Sequence, residues 1–233
     1  MEDLYKDLLR FGCLKGFKHF SVYLRGREEL LITVRTPPNA DCEPVAHCEN
    51  AVVSPSKRLQ RVSSLRTGKS FPPASPAIAE AVKPVAPEET VFLVGAYARY
   101  NWPYVWLRSQ NPRIADATLD MDLPLDLQST REWESRRLRV WDIVEELVLM
   151  NIGHDQSNPF EVDHEALAKM NRLQRSLLSA ALAYFLRELL LDGAAYSQAV
   201  RRDLQLLLES HFNDMAKVFP GFGATDSKPI AAH

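Results

Sequence analysis

Residues 163–219 read DHEALAKMNRLQRSLLSAALAYFLRELLLDGAAYSQAVRRDLQLLLESHFNDMAKVF. The spacing predicts two long helices joined by a turn at Asp192-Gly193. Asp163 suits the N-cap of the first, where its carboxylate accepts an orphan backbone N–H. Leu167, Met170, Leu173 or Gln174, Leu177, Ala181, Phe185 and Leu189 form one apolar row at helical spacing. Leu178, Leu182, Leu186 and Leu190 form a second. Two rows make a wide stripe, so this helix is expected to be covered on more than one side. The small residues Ser179-Ala180-Ala181 would admit another backbone closely. Gly193 fits the C′ position, where a left-handed residue ends the ladder. In the second helix Val200, Leu204, Leu207 or Leu208, His211 and Met215 share a face, and Pro220-Gly221 stops it. The pair carries more apolar area than one folded copy is expected to hide. Self-association or partner binding is therefore expected of it.

The rest of the chain supplies what packs around this pair. Leu4, Tyr5, Leu8, Leu9 and Phe11 suggest a short helix ending at Gly12. Phe17–Leu24 and Glu29–Thr36 are rich in strand formers and flank the turn Arg25-Gly26-Arg27-Glu28, which reads as a β-hairpin. Pro37-Pro38 ends it. From 37 to 89 the composition shifts to Pro, Ser, Ala and Val, which reads as a flexible, disordered insertion. Protease is expected to cut first there, between Ala51 and Val82. Val91–Tyr97 and Tyr104–Leu107 read as a second hairpin turning at Arg99–Trp102, with Pro103 making its last strand an edge or starting it. The two hairpins together predict a four-stranded antiparallel sheet closed across the insertion. Leu119–Leu127 alternates strictly, with leucine or methionine on one side and Asp120, Asp122, Pro124 and Asp126 on the other. That pattern predicts a fifth strand, at an edge, its acids facing outward.

Thr130 could cap a helix over Arg131–Ile152, with Glu132 four residues before Arg136. Arginines crowd the N-terminal half of that helix, against its macrodipole. That arrangement suggests that the arginines have partners elsewhere. The class is α+β, a small antiparallel sheet followed by a C-terminal block of three helices. Its divisions are 1–36, 37–89, 90–128, 129–220 and a tail at 221–233.

Composition bounds the function. At 233 residues, 46% hydrophobic and 25% charged, the chain has the make-up of an ordinary globular protein. A net charge of −2 gives no global attraction to nucleic acid or anionic membrane. The acidic start Met1-Glu2-Asp3 is unlike a secretory signal. Three cysteines make no disulfide framework, so a reducing cytosolic or nuclear setting is expected.

No motif in the chain identifies a chemistry. Arg66-Thr67-Gly68-Lys69-Ser70 matches the end of a phosphate-binding loop, but Ser63 stands where that motif needs glycine, and Phe71-Pro72-Pro73 forbids the following helix. Cys42, His47 and Cys48 match no standard zinc spacing. His154 and His164, with Asp155 and Asp163, lack an accompanying nucleophile signature. No cofactor is implied.

Three functional readings follow. In the favoured one the protein is a non-enzymatic interaction or scaffold subunit. It contacts other protein subunits through the aromatic hairpin Tyr100, Trp102, Tyr104 and Trp106 and through Leu178, Leu182 and Leu186, although packing of that aromatic face on the helical pair, and a plain core role for the leucines, are the readings the residues favour when each is taken alone. In the second it binds nucleic acid through Lys57, Arg58, Arg61, Arg66 and Lys69, in a stretch without an acid from Asn50 to Ala79. Phosphorylation at Ser63 or Ser64 would lower that positive charge. In the third, Asp120, Asp122 and Asp126 hold a divalent ion for an enzymatic reaction. None of the three involves a membrane.

Overall fold

A computed structural model of the chain describes residues 2–36, 86, 88–97, 102–109, 123–152, 158–191, 193 and 196–218. They fall into two compact units, 1–160 and 161–233.

The first unit opens with α1, Glu2–Gly12. Its Leu4, Leu8 and Phe11 recur at helical spacing and are buried. Then come β1 (Phe20–Arg25), β2 (Glu29–Arg35), β3 (Glu89–Gly95) and β4 (Tyr104–Leu107). They form one antiparallel sheet in the order β1-β2-β3-β4. The hairpins and the closure across the insertion agree with the sequence. Pro103 stands directly before β4, an edge strand, where its missing N–H costs no ladder bond.

Register sets the two faces. Leu24, Leu30, Val94 and Val105 align across the strands, as do Val22, Ile32, Phe92 and Leu107. Gly12 of α1 lies against Leu24 and Leu30 of this face. Phe11, Phe17, Phe20 and Phe160 cluster beside it, with ring centroids 4.6–6.3 Å apart. On the opposite face the row is Tyr23, Leu31, Leu93 and Trp106. It runs from an exposed tyrosine to a fully buried tryptophan.

Gly95 exists for that tryptophan. A Cβ at residue 95 would stand 3.0 Å from the Trp106 ring and 2.8 Å from the Tyr97 ring. Gly95→Ala is therefore expected to lower stability by about 1–3 kcal/mol through overpacking, read as a drop in the urea midpoint.

Two predicted elements are not found as read. Residues 123–127 form no strand. Leu125 N–H donates to Val105 C=O at 2.7 Å, but no ladder follows, and Pro124 is buried with Leu125 and Leu127. The helix expected over 131–152 is broken into α2 (Gln128–Arg131), α3 (Trp133–Arg136) and α4 (Val140–Ile152). The break is at Arg137, which takes a left-handed φ of 51°. Thr130 caps nothing, because it lies inside α2 with its hydroxyl on Leu127 C=O. The cap of α2 comes from α4: Glu146 accepts from Gln128 N–H at 2.9 Å, Ser129 N–H at 2.8 Å and Ser129 Oγ at 2.7 Å.

Three arginines of this stretch, Arg131, Arg136 and Arg139, have acidic partners. Arg139 grips buried Asp7 of α1 with two bonds of 2.6 and 2.7 Å and lies over Trp141. Arg131 binds Asp126, and Arg136 pairs with Glu132 as the spacing predicts. α4 packs on β2 and α1. It thus belongs to the sheet unit, and the division between units falls after Phe160 rather than near residue 129.

The second unit holds α5 (His164–Ala168), α6 (Arg172–Leu191) and α7 (Ser197–Val218). Asp163 is an N-cap, accepting from Ala166 N–H at 2.8 Å, but of the short α5 only. The long helix has its own cap, Asn171, which accepts from Gln174 N–H at 2.9 Å. Gly193 has φ +74°, as its place after α6 requires.

Candidate interaction surface

α6 and α7 pair antiparallel. Arg175 near the start of α6 meets Asp214 near the end of α7, with Nη2 to Oδ1 at 2.7 Å. One turn further on, His211 Nδ1 lies 3.0 Å from the Ser176 carbonyl. Arg175 also donates to the Ala168 carbonyl at 3.1 Å, which ties the end of α5 to the pair. Ser179 turns its hydroxyl back to the Arg175 carbonyl at 2.7 Å and so is satisfied while buried.

The hydrogen bonds from Arg175 hold the Asp214 carboxyl below the usual carboxylate range. Its folded pKa is lower than its unfolded one, near 3.9. The stabilisation is thus complete above about pH 4 and is lost as pH falls through the folded value. Asp214→Asn should lower the melting temperature at pH 7. The gap from wild type should narrow below about pH 4, in melts from pH 6 to pH 2.5.

The inward face of α6 is Ser176, Ser179, Leu182, Ala183, Phe185, Leu186 and Leu189. Its outward face is also apolar. Leu173, Leu177, Tyr184 and Leu191 are 59, 67, 52 and 73% exposed. Ala180 and Ala181 lie open among them, and Arg187 stacks over Tyr184 at 5.5 Å. Residues 173, 177, 180, 184, 187 and 191 are separated by alternating steps of four and three. That is the a/d seam of a heptad repeat, the pattern by which a helix presents a straight apolar edge to another helix. On α7, Leu204, Leu208 and Phe212, with Arg201, Gln205 and Glu209, line a shallow groove of about 380 Å³.

Of the residues read from the sequence as contacts, Trp106, Leu182 and Leu186 lie inside. Leu182 and Leu186 are fully buried and Leu178 is half-buried, so the leucines facing solvent on this helix are Leu173, Leu177 and Leu191. Trp106 is wholly inside, with Tyr104 at 5.9 Å and Tyr97 at 6.3 Å between ring centroids. Tyr104 and Trp102 are half-buried. Burial and a 2.7 Å bond to Glu29 push the Tyr97 hydroxyl pKa well above the ordinary tyrosine value. The aromatic hairpin is thus, in Trp106 and Tyr97, part of the sheet's own packing.

Tyr100 lies outside the described residues. So do Lys57, Arg58, Arg61, Arg66, Lys69, Ser63, Ser64, Cys42, His47, Cys48, His154, Asp155, Asp120 and Asp122. Asp126, the described member of the acidic trio, is engaged by Arg131 Nε at 2.6 Å. His164 faces Asp203 at 3.6 Å, while Asp163 is occupied as a cap. Among the described residues no group of three His, Cys, Asp or Glu could hold a metal ion. No helix among them is long and apolar enough to cross a membrane.

A family model described as a domain of unknown function, DUF7886, matches residues 75–213, more than half of the chain. The match runs from before β3 to the last turns of α7 and leaves out α1, β1 and β2. No curated protein and no solved structure matches the chain. By the extent of that match, the chain belongs to the DUF7886 family.

Proposed function

We propose that the protein is a non-enzymatic interaction subunit of a larger assembly, and that it binds through the outward face of α6. The observation that supports this is the exposed seam Leu173, Leu177, Tyr184 and Leu191 on a helix whose other side is already packed. Single exposed leucines are common on protein surfaces and need no explanation. A continuous row at heptad spacing is a different matter, because each of its side chains meets the same neighbouring surface. The aromatic hairpin has a smaller part in this reading, since Trp106 is inside. Its setting would be the cytosol or nucleus, in keeping with the low cysteine content.

The test is affinity capture from the native source with the full chain, followed by mass spectrometry. A variant carrying Leu177→Asp and Leu191→Asp serves as the control. Both substitutions are at exposed positions, so the circular dichroism spectrum should not change. The wild-type chain is expected to retain proteins that the double variant loses. Equal capture by both would remove α6 from the binding surface.

A further inference from the structure

We infer that the seam on α6 pairs with the same seam of a second copy of this chain, antiparallel, about a two-fold axis that crosses the outward face of the helix at the level of residue 182. This rests on the reading of α6 as a binding surface and names its occupant.

Like any six-membered row of alternating fours and threes, the seam is symmetric in spacing about its midpoint, so it is compatible with a two-fold pairing and the choice of partner rests on the side chains. Its six positions fall into pairs equidistant from residue 182, namely 173 with 191, 177 with 187, and 180 with 184. A two-fold interface requires this, because residue i of one copy must meet j of the other while j meets i. The symmetry also matches heptad position. Positions 173, 180 and 187 are of one class and 177, 184 and 191 of the other. Each layer therefore joins a d residue to an a residue, the arrangement of an antiparallel coiled coil.

The side chains fit that order. Leu173 meets Leu191 of the second copy. Tyr184 lies over the small surface of Ala180 and Ala181, twice by symmetry, large against small. Leu177 meets the aliphatic stem of Arg187, whose charged head reaches the rim. At that rim Gln174 comes beside Glu188 of the second copy, a donor next to a carboxylate. A parallel pairing would instead place Arg187 against Arg187 and Tyr184 against Tyr184, and would leave Ala180 facing Ala180. Like charge and mismatched volume both oppose it.

The seam covers 18 steps, roughly 27 Å at ~1.5 Å per residue. Closing it buries on the order of 500 Å² per copy, or about 1,000 Å² in all, the lower bound for a specific interface. The pairing is therefore a reversible one, set by concentration.

Sedimentation equilibrium of the full chain from about 1 to 200 μM tests this. A monomer–dimer equilibrium is expected, and Leu177→Asp with Leu191→Asp should shift it to monomer. Orientation is read by cross-linking chains in which Cys13, Cys42 and Cys48 are serine. A short bismaleimide should join Leu173→Cys chains to Leu191→Cys chains when the two are mixed, and should join neither variant to itself. A strictly monomeric chain at 200 μM overturns the inference, as does a dimer indifferent to the aspartates. Self-linking of the Leu173→Cys chain overturns the antiparallel order. A monomer that still captures another protein through Leu177 and Leu191 would sink self-pairing and leave the function proposed above standing. A seam-dependent dimer that captures nothing would do the reverse.

Discussion

Replacing Trp106 by alanine is expected to lower folding stability by about 3–5 kcal/mol, the range for deleting a large buried aromatic. Trp106 has no exposed surface and sits on the sheet face where Leu93 is its cross-strand neighbour. Gly95 is kept free of a side chain beside it. The loss removes ring volume from a place that cannot collapse, because the flanking strands hold their spacing. Trp106→Phe should behave differently. Among the described residues the indole N–H has no hydrogen-bond partner, so phenylalanine gives up no bond seen there while keeping most of the ring. That change should cost less than about 1.5 kcal/mol. Urea unfolding of the two variants separates the cases. A tryptophan serving as a surface contact would tolerate alanine within about 0.5 kcal/mol.

The second large effect divides leucines of one helix. Leu182→Ala is expected to destabilise by about 2–5 kcal/mol, since Leu182 has no exposed surface. Leu177→Ala, five residues earlier in the same helix, should change stability by no more than about 0.5 kcal/mol. Alanine is also the better helix former, which offsets part of any lost contact. Chemical denaturation of the two side by side measures this. A Leu177 that contributes nothing to folding is available for binding. A large loss at Leu177→Ala would mean that the row is covered within the chain, and the function proposed for it would fail.

The sheet was legible in the sequence because its signals are local. The Arg25–Glu28 turn, the proline pair after β2 and the proline before β4 each act on their own few residues. The closure of β2 on β3 followed because two hairpins with unpaired inner strands have few other ways to satisfy their backbones. The failures came where a distant partner decides. Nothing near Arg137 announces a left-handed arginine. The break there lets Arg139 reach Asp7, more than a hundred residues away in sequence. Glu146 likewise pulls residues 128 and 129 into a helix that their own sequence does not suggest. Residues 119–127 alternate well, yet buried Pro124 shows that the alternation did not report on two faces of a strand.

On α6 the helix was readable and its orientation was not. A row of steps of four advances 40° around the axis at each step. The row begun at Leu173 and Leu177 therefore starts in solvent and ends in the core at Phe185 and Leu189. The straighter rows alternate four with three. On this helix one straight row faces inward and another outward, and the outward one is apolar except for Arg187.

The seven residue pairs that join β2 to β3 bridge the longest gap between consecutive strands, from Arg35 to Glu89. Closing a loop of that length costs roughly 3–4 kcal/mol beyond a constant term, which the ladder and its side chains must exceed. A cut inside the gap exchanges that cost for the larger one of bringing two separate chains together, and leaves two polypeptides with complementary borders. The piece ending after β2 and the piece beginning before β3 should recombine when mixed, as a split reporter does. The stretch matched by the family model holds β3 without β2. Expressed by itself, such a truncation would present a bare, largely apolar border that invites fibrous stacking. Recombinant work on this domain should therefore begin at α1.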